Sequence, residues 1–192
     1  MQRLRLETRD QHLKLERTVD LKSRFESRAG YVDLLQRMLG LHEPLEQSLL
    51  RLDWSGTGID LGERRKAPWL EADLLALGSS KEEIARLPRC TSLPVLDTVA
   101  RGIGCLYVLE GSTLGGDVIA QQIAKRLQLG PGSGGRFYAS YGERLHPMWA
   151  AFGADADRAC ATEAAGDQAR DAARHTFECF ETWFRQSAAA GS

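Results

Sequence analysis

The sequence predicts an all-α protein built as one domain, and three observations carry that expectation. Apolar residues recur at three- and four-residue steps through most of the chain, the spacing of a helix face. No run alternates polar and β-branched residues between hairpin turns, so no strand is expected. Glycine, proline and serine gather between the periodic segments, where they punctuate helices. At 192 residues the chain is long enough to bury a real core. A single domain is expected over 1–192, with 186–192 as a frayed tail.

The first periodic segment is residues 2–19, where Leu4, Thr8, His12, Leu15 and Val19 form one stripe of a single helix. A histidine in such a stripe is ordinarily a core residue whose ring nitrogens find partners. Two features point elsewhere: Thr8, one turn away, makes the stripe more polar than a plain core face, and Arg5 lies seven residues before His12. That spacing puts the cation within about 20° of the same direction and about 10 Å along the axis. It suits a ligand with a metal at its centre and acid groups at one edge.

Residues 28–52 make a second amphipathic helix with Tyr31, Leu34, Leu35, Met38, Leu41, Leu45, Leu49 and Leu52 on its apolar face. Pro44 lacks a backbone donor, so the helix bends there or is two helices end to end. His42 has no ligand partner at a useful spacing and reads as structural or exposed. The polar, glycine-containing stretch 53–66 reads as a surface loop. A short helix from Pro68 to Leu77 follows the rule of proline at the start and glycine after the end, with Gly78 as the stop. Ser80 and Glu83 have the spacing of a capping box. Pro88 and Pro94 bracket a linker that leads to Asp97, the expected N-cap of the next helix.

That helix, Asp97 to Leu129, is the stretch around which the chain is organised. It is periodic and free of proline, yet it carries Gly102, Gly104, Gly111, Gly115 and Gly116. Each glycine costs roughly 1 kcal/mol against alanine inside a helix, about 5 kcal/mol together. Two explanations offset that loss: another helix packs on the glycine face, or bare backbone must approach a flat, bulky ligand. The adjacent pair Gly115–Gly116 is harder to explain by packing, because neighbouring positions point about 100° apart. The following GPGSGG stretch does not fit a phosphate-binding loop and is a linker. Further helices begin at 147–152 and run from about Ala159 to Gln186.

Composition limits the function classes. With 25 Lys+Arg against 26 Asp+Glu, the net charge of −1 leaves no basic excess for nucleic acid. No run reaches the ~18–20 apolar residues of a membrane span, and no secretory leader is evident, so a cytoplasmic protein is expected. Cys90, Cys105, Cys160 and Cys179 show no metal-ligand spacing and read as core-filling thiols.

GIGCLYVLEGSTLGG (102–116) resembles the distal-helix signature of the bacterial heme oxygenases, especially those paired with bacteriophytochromes. LETRDQHLKLE (6–16) resembles their proximal-helix motif, and RRKAPWLEADLLALG and HPMWAAF are similar to family segments. The resemblance covers almost the whole chain. It implies a helical bundle with heme between a proximal helix and a kinked, glycine-rich distal helix. It further implies His12 as the iron ligand, with Gly111, Gly115 and Gly116 lining the distal face and Ser112 in reach of ordered water. Arg5 and Tyr107 match propionate-binding positions, and Thr8 flanks the cofactor. The implied reaction is oxidative cleavage of heme to biliverdin, carbon monoxide and ferrous iron. Heme is then both substrate and oxygen-activating cofactor, O2 the oxidant, and an external reductase or ferredoxin the electron source. A bacteriophytochrome is the implied recipient of biliverdin. The alternative is a noncatalytic heme-binding or heme-delivery protein on the same fold. Ser112 stands where the animal enzymes carry an aspartate, and Asp117 where most relatives have glutamine. Asp117 is expected to point to solvent, because a buried unpaired carboxylate is costly.

Overall fold

The computed structural model describes residues 1–189, with the side chains of Gln2, Glu16, Asp117 and 187–189 outside that description. Among the described residues there are helices and no strands: α1 (Gln2–Glu7), α2 (Arg9–Val19), α3 (Leu21–Arg24), α4 (Arg28–Leu49), α5 (Leu61–Arg64) and α6 (Ala67–Ala76) come first. They are followed by α7 (Lys81–Arg86), α8 (Val99–Gly111), α9 (Gly116–Leu127), α10 (Arg136–Ala139), a 3-10 turn (Gly142–Arg144), α11 (Leu145–Ala159) and α12 (Glu163–Ala189). Helix α12 is described to Ala189, and 190–192 of the expected tail lie outside the described residues. No helix among the described residues is long and apolar enough to cross a membrane.

The spine of the bundle is α12, which packs along α8 and α2 and also meets α1 and α4. Small residues make the α8 contact possible. A Cβ on Gly104 would lie 2.8 Å from the Ala169 carbonyl carbon and 3.0 Å from the Ala173 nitrogen, so two helix backbones touch there with no side chain between them. The contacts climb both helices in the same sense. Thr98 Oγ1 donates to Gln168 Oε1 at 2.9 Å, Gly104 sits on Ala169 and Ala173, and Cys105 lies beside Thr176. The N-terminal helices climb α12 in the same direction: Arg3 pairs with Asp167 at 2.7 Å, and Arg174 Nη2 donates to the Glu7 carbonyl. Beyond them His12 meets the Phe177 ring at 6.1 Å, and Lys14 pairs with Glu181 at 2.9 Å. Helices α1–α2 and α8 therefore run alongside α12, all pointing the same way.

Two of the expected helices take a different form. The segment 2–19 leaves helical geometry at Thr8 (φ −115°, ψ 9°), whose hydroxyl donates to the Leu4 carbonyl at 2.7 Å. The straight-helix spacing from Arg5 to His12 therefore does not hold. The stretch 97–129 is not one helix but two, broken over 112–115. Ser112 and Thr113 turn their hydroxyls onto the carbonyls of Leu109 and Glu110 at 2.7 and 2.6 Å, the local bonding that competes with a helix. Tight three-residue turns then replace the regular ladder, with Leu114 N donating to Gly111 O at 3.2 Å and Gly116 N to Thr113 O at 2.8 Å. The cap of α8 is Thr98, which accepts from Arg101 N, whereas Asp97 pairs with the Arg101 side chain.

By contrast α4 passes through Pro44 as one helix. Proline leaves the carbonyl of Gly40 without its helical donor, and Cys90 N supplies one at 2.8 Å. Gly40 itself lies against Pro88 and Trp183, so glycine and proline one turn apart form a seat for the linker after α7. The stop at Gly78 (φ +99°) and the Ser80–Glu83 capping box have the expected form. Cys90, Cys105 and Cys179 are buried and Cys160 half-buried, all as free thiols.

The α8–α12 contact yields a direct test. Gly104→Ala forces a methyl group into the Ala169 backbone and should cost about 3 kcal/mol in urea unfolding. Gly111→Ala, where a Cβ meets nothing nearer than Trp149 at 3.9 Å, should leave stability unchanged or raise it by up to about 1 kcal/mol. Equal effects from the two substitutions would contradict the distinction between them.

Candidate functional site

Burial along α1 and α2 follows the predicted stripe except at one position. Leu4, Thr8 and Val19 are buried and Leu15 partly so, while His12 in their midst is exposed. Its ring stands edge-on to Phe177 of α12. An imidazole carried on a buried stripe but open on one side is positioned to meet a ligand. The neighbouring Leu13 is exposed as well, at 42%, which adds apolar surface beside the imidazole.

From α8 across the break to the start of α9, the five glycines divide into two groups. Gly102 lies against Leu52 and Trp54, Gly104 against α12, and Gly116 against the Tyr138 carbonyl, 2.6 Å from where its Cβ would stand. These three serve packing, which answers half of the sequence puzzle and corrects the expectation that Gly116 lines an open face. The other two differ. A Cβ on Gly111 would find only Trp149 at 3.9 Å, and one on Gly115 only Ile119 at 4.0 Å. Among the described residues nothing comes closer than ordinary van der Waals contact to either position, so both have room where the other three have none. Leu114 and Val118 beside them are exposed at 38% and 61%, so this open backbone has an apolar border.

The shared direction of α2, α8 and α12 gives both features a common place. His12 is level with Phe177, and Cys105 with Thr176, so the break after Gly111 follows less than two turns further along the same end of α12. At the other end α1 and α8 come close, because Leu4, Ile103 and Ala169 line one cavity.

A family model described as heme oxygenase matches residues 1–186. The chain belongs to the heme oxygenase family. A heme oxygenase of Xanthomonas campestris pv. campestris is 38% identical over 98 residues, 50% of this chain, and the match spans 54% of that relative's own length. The solved structure of a heme oxygenase from Leptospira interrogans superposes with a TM-score of 0.74 at 17% identity, covering 95% of this chain and 97% of that one. At that identity the likeness shows the fold, and the fold is the family's helical bundle.

The remaining family-matched residues fall into place unevenly. Ser112 is exposed, and because its proton goes to the Leu109 carbonyl, its lone pairs are left to accept from water. Tyr107 is half-buried and tilted against Trp149 at 5.9 Å. Arg5 is exposed on α1. Thr8 is 1% exposed with its hydroxyl spent on Leu4, so it shapes the turn between α1 and α2 and does not present a polar group to a ligand. The side chain of Asp117 lies outside the described residues.

Residues 53–66 hold what sequence reasoning missed. Far from being a solvated loop throughout, the stretch contains α5 and sends Arg64 and Lys66 inward, 5% and 1% exposed. Both bind Glu110, the last residue before Gly111: Arg64 Nη1 donates to Oε2 at 2.8 Å and Lys66 Nζ to Oε1 at 2.6 Å. Tyr141 OH also donates to Glu110 Oε1 at 2.8 Å and accepts from Lys66 Nζ at 2.6 Å. Burial pulls the Lys66 ammonium down and Glu110 opposes that pull, while burial and the nearby carboxylate push the Tyr141 phenol up. The available signal was Glu110 itself, an acid inside the otherwise apolar run CLYVLEG.

A second buried carboxylate, Glu46, accepts from the backbone of Lys66 and Ala67 at 2.6 and 3.0 Å and so caps α6. One turn before it, His42 is buried between the rings of Phe137 and Phe180, which settles its reading as structural. Burial pushes its pKa from an ordinary 6.5 down to about 3. The unfolded chain thus binds a proton that the folded chain refuses between those values, and stability falls as pH falls below 6.5. From pH 7 to pH 5 this group should remove about 2 kcal/mol. Urea unfolding of His42→Leu should show a pH dependence flatter by that amount, and an identical slope would contradict the assignment.

Proposed function

We propose that this chain is a heme-degrading monooxygenase that opens heme to biliverdin, carbon monoxide and ferrous iron. The observation that carries the reading is the pairing, at one end of α12, of the exposed His12 with the unfilled backbone of Gly111 and Gly115. The residues fit heme. A neutral imidazole is a common axial ligand of heme iron, and the two glycines leave the room that a flat macrocycle and a small gas molecule need. Exposed Leu13, Leu114 and Val118 supply apolar surface for the ring faces.

In this reading His12 holds the iron on one side. Gly111 and Gly115 keep the other side open, and Ser112 orders water there through its free lone pairs. Arg5 and Tyr107 meet the propionate edge. Bound heme supplies the iron that activates O2 and is itself the substrate consumed. The electrons come from a separate reductase or ferredoxin, because the sequence carries no flavin- or nicotinamide-binding pattern. The likeness of residues 102–116 to the bacteriophytochrome-associated branch supports a photoreceptor apoprotein as the recipient of biliverdin. A carrier that only delivers heme has no use for the open glycine side, which favours the enzyme.

The test is to mix the chain with hemin, a reductant system and catalase in air and to follow the visible spectrum. The Soret band should form and then give way to a biliverdin spectrum with release of carbon monoxide. A Soret band that persists would make the chain a heme binder without this activity. Gly115→Leu should bind hemin but lose most turnover by filling the distal room. Full turnover in that variant would assign the glycine to packing.

A further inference from the structure

The four-residue break that follows Gly111 and ends at Gly115 is fastened at both ends to one short segment. At its start the Glu110 carbonyl accepts from both Thr113 N at 3.1 Å and Thr113 Oγ1 at 2.6 Å, so the break is rooted on Glu110. The Glu110 carboxylate is in turn held by Arg64, Lys66 and Tyr141. At its far end Gly116 rests on the Tyr138 carbonyl. Tyr138 and Tyr141 flank Ser140, whose backbone takes a left-handed φ of +48°, an unfavourable conformation for a residue with a side chain. Asp73 of α6 fixes the start of the same segment by accepting from Arg136 N and Phe137 N, each at 2.8 Å. The segment 136–144 is thus tied to α6, turned sharply at Ser140, and pressed against both ends of the break.

We propose that Glu110 is a positioning residue: with Arg64, Lys66 and Tyr141 it fixes the height of the 112–115 turn, and through it the room left for a ligand above the heme. The proposal rests on the heme placement given under Proposed function. Chemistry favours this role over plain stabilisation. Two buried cations and a phenol converge on one carboxylate, where a well-packed apolar contact would hold a helix end at least as firmly. What the charged cluster adds is direction: Arg64 and Lys66 come from one side, Tyr141 from another, and each bond has a fixed length and angle. A helix end held in that way keeps its place while the four residues beyond it, bonded to the last turn of α8 and to one another, present their backbone to the heme side. Arg64 extends the anchorage to α11, with both terminal nitrogens 3.4 Å from the Met148 carbonyl, one residue before the Trp149 ring that lies under Gly111.

The experiment is amide hydrogen exchange by mass spectrometry on the heme-free chain and its ferric hemin complex, together with the azide affinity of that complex. The chains compared are wild type, Glu110→Gln, Tyr141→Phe and Gly115→Leu. Peptides spanning 111–117 should exchange at least tenfold faster in Glu110→Gln and at least threefold faster in Tyr141→Phe. Peptides of α12 over 169–181 should stay within twofold, and azide affinity should change at least fivefold in Glu110→Gln. Unchanged exchange at 111–117, or equal acceleration across the whole chain, would overturn the positioning role. If Glu110→Gln does not fold, Tyr141→Phe, which deletes one hydroxyl, decides by the same criteria. Gly115→Leu guards the premise. An unaltered hemin spectrum and azide affinity in that variant would overturn the heme placement, whatever the exchange of the other variants shows.

Discussion

The fold depends on the contact of two helix backbones where α8 lies on α12 at Gly104. With no side chain between them the helices approach closely, and their register along each other is set. That register brings the end of α8 level with the part of α12 that meets α2. Without it, His12 and the open glycines would belong to different parts of the bundle. Sequence and packing are joined at this point: a glycine that costs helix propensity locally allows the approach that sets His12 and the open glycines along the same part of α12.

The second constraint is charge. Glu46, Asp73 and Glu110 are all buried, and each is satisfied by donors that chain segments present at defined places. Glu46 and Asp73 take backbone donors at the starts of α6 and α10, while Glu110 takes side chains from the α5–α6 region and from Tyr141. A buried carboxylate is expensive unless its partners are in place, so these three make particular arrangements of short helices far better than their neighbours. They tie the small elements, which have little apolar surface of their own, to α4, α6 and α8.

Much of this was legible in the sequence. Helical periodicity identified the long elements, the capping box at Ser80 and the stop at Gly78 marked boundaries, and the glycine-rich stretch announced a close backbone approach, which Gly104 makes. What was not legible arose where a local signal had two physical outcomes. Five glycines in one periodic run look alike, but Gly102, Gly104 and Gly116 meet other parts of the chain while Gly111 and Gly115 meet room, and only tertiary contacts separate those cases. Ser112 and Thr113 are tolerated in a helix, yet their hydroxyls bonded back to the chain and ended it. Arg64 and Lys66 looked solvated because cations beside glycine and aspartate usually are, and their inward turn required a partner 44 residues or more away, in Glu110. Pro44 left α4 whole because a donor from beyond α7 took up the orphaned carbonyl.

The proposed function turns on His12 holding heme iron opposite the open glycines. The most direct measurement is the spectrum of the ferric hemin complex of His12→Ala, before and after addition of imidazole. The variant should lose the histidine-ligated spectrum of the wild type and recover it when imidazole occupies the vacated position. A wild-type spectrum in His12→Ala without imidazole would show that another residue holds the iron and would contradict the role of His12.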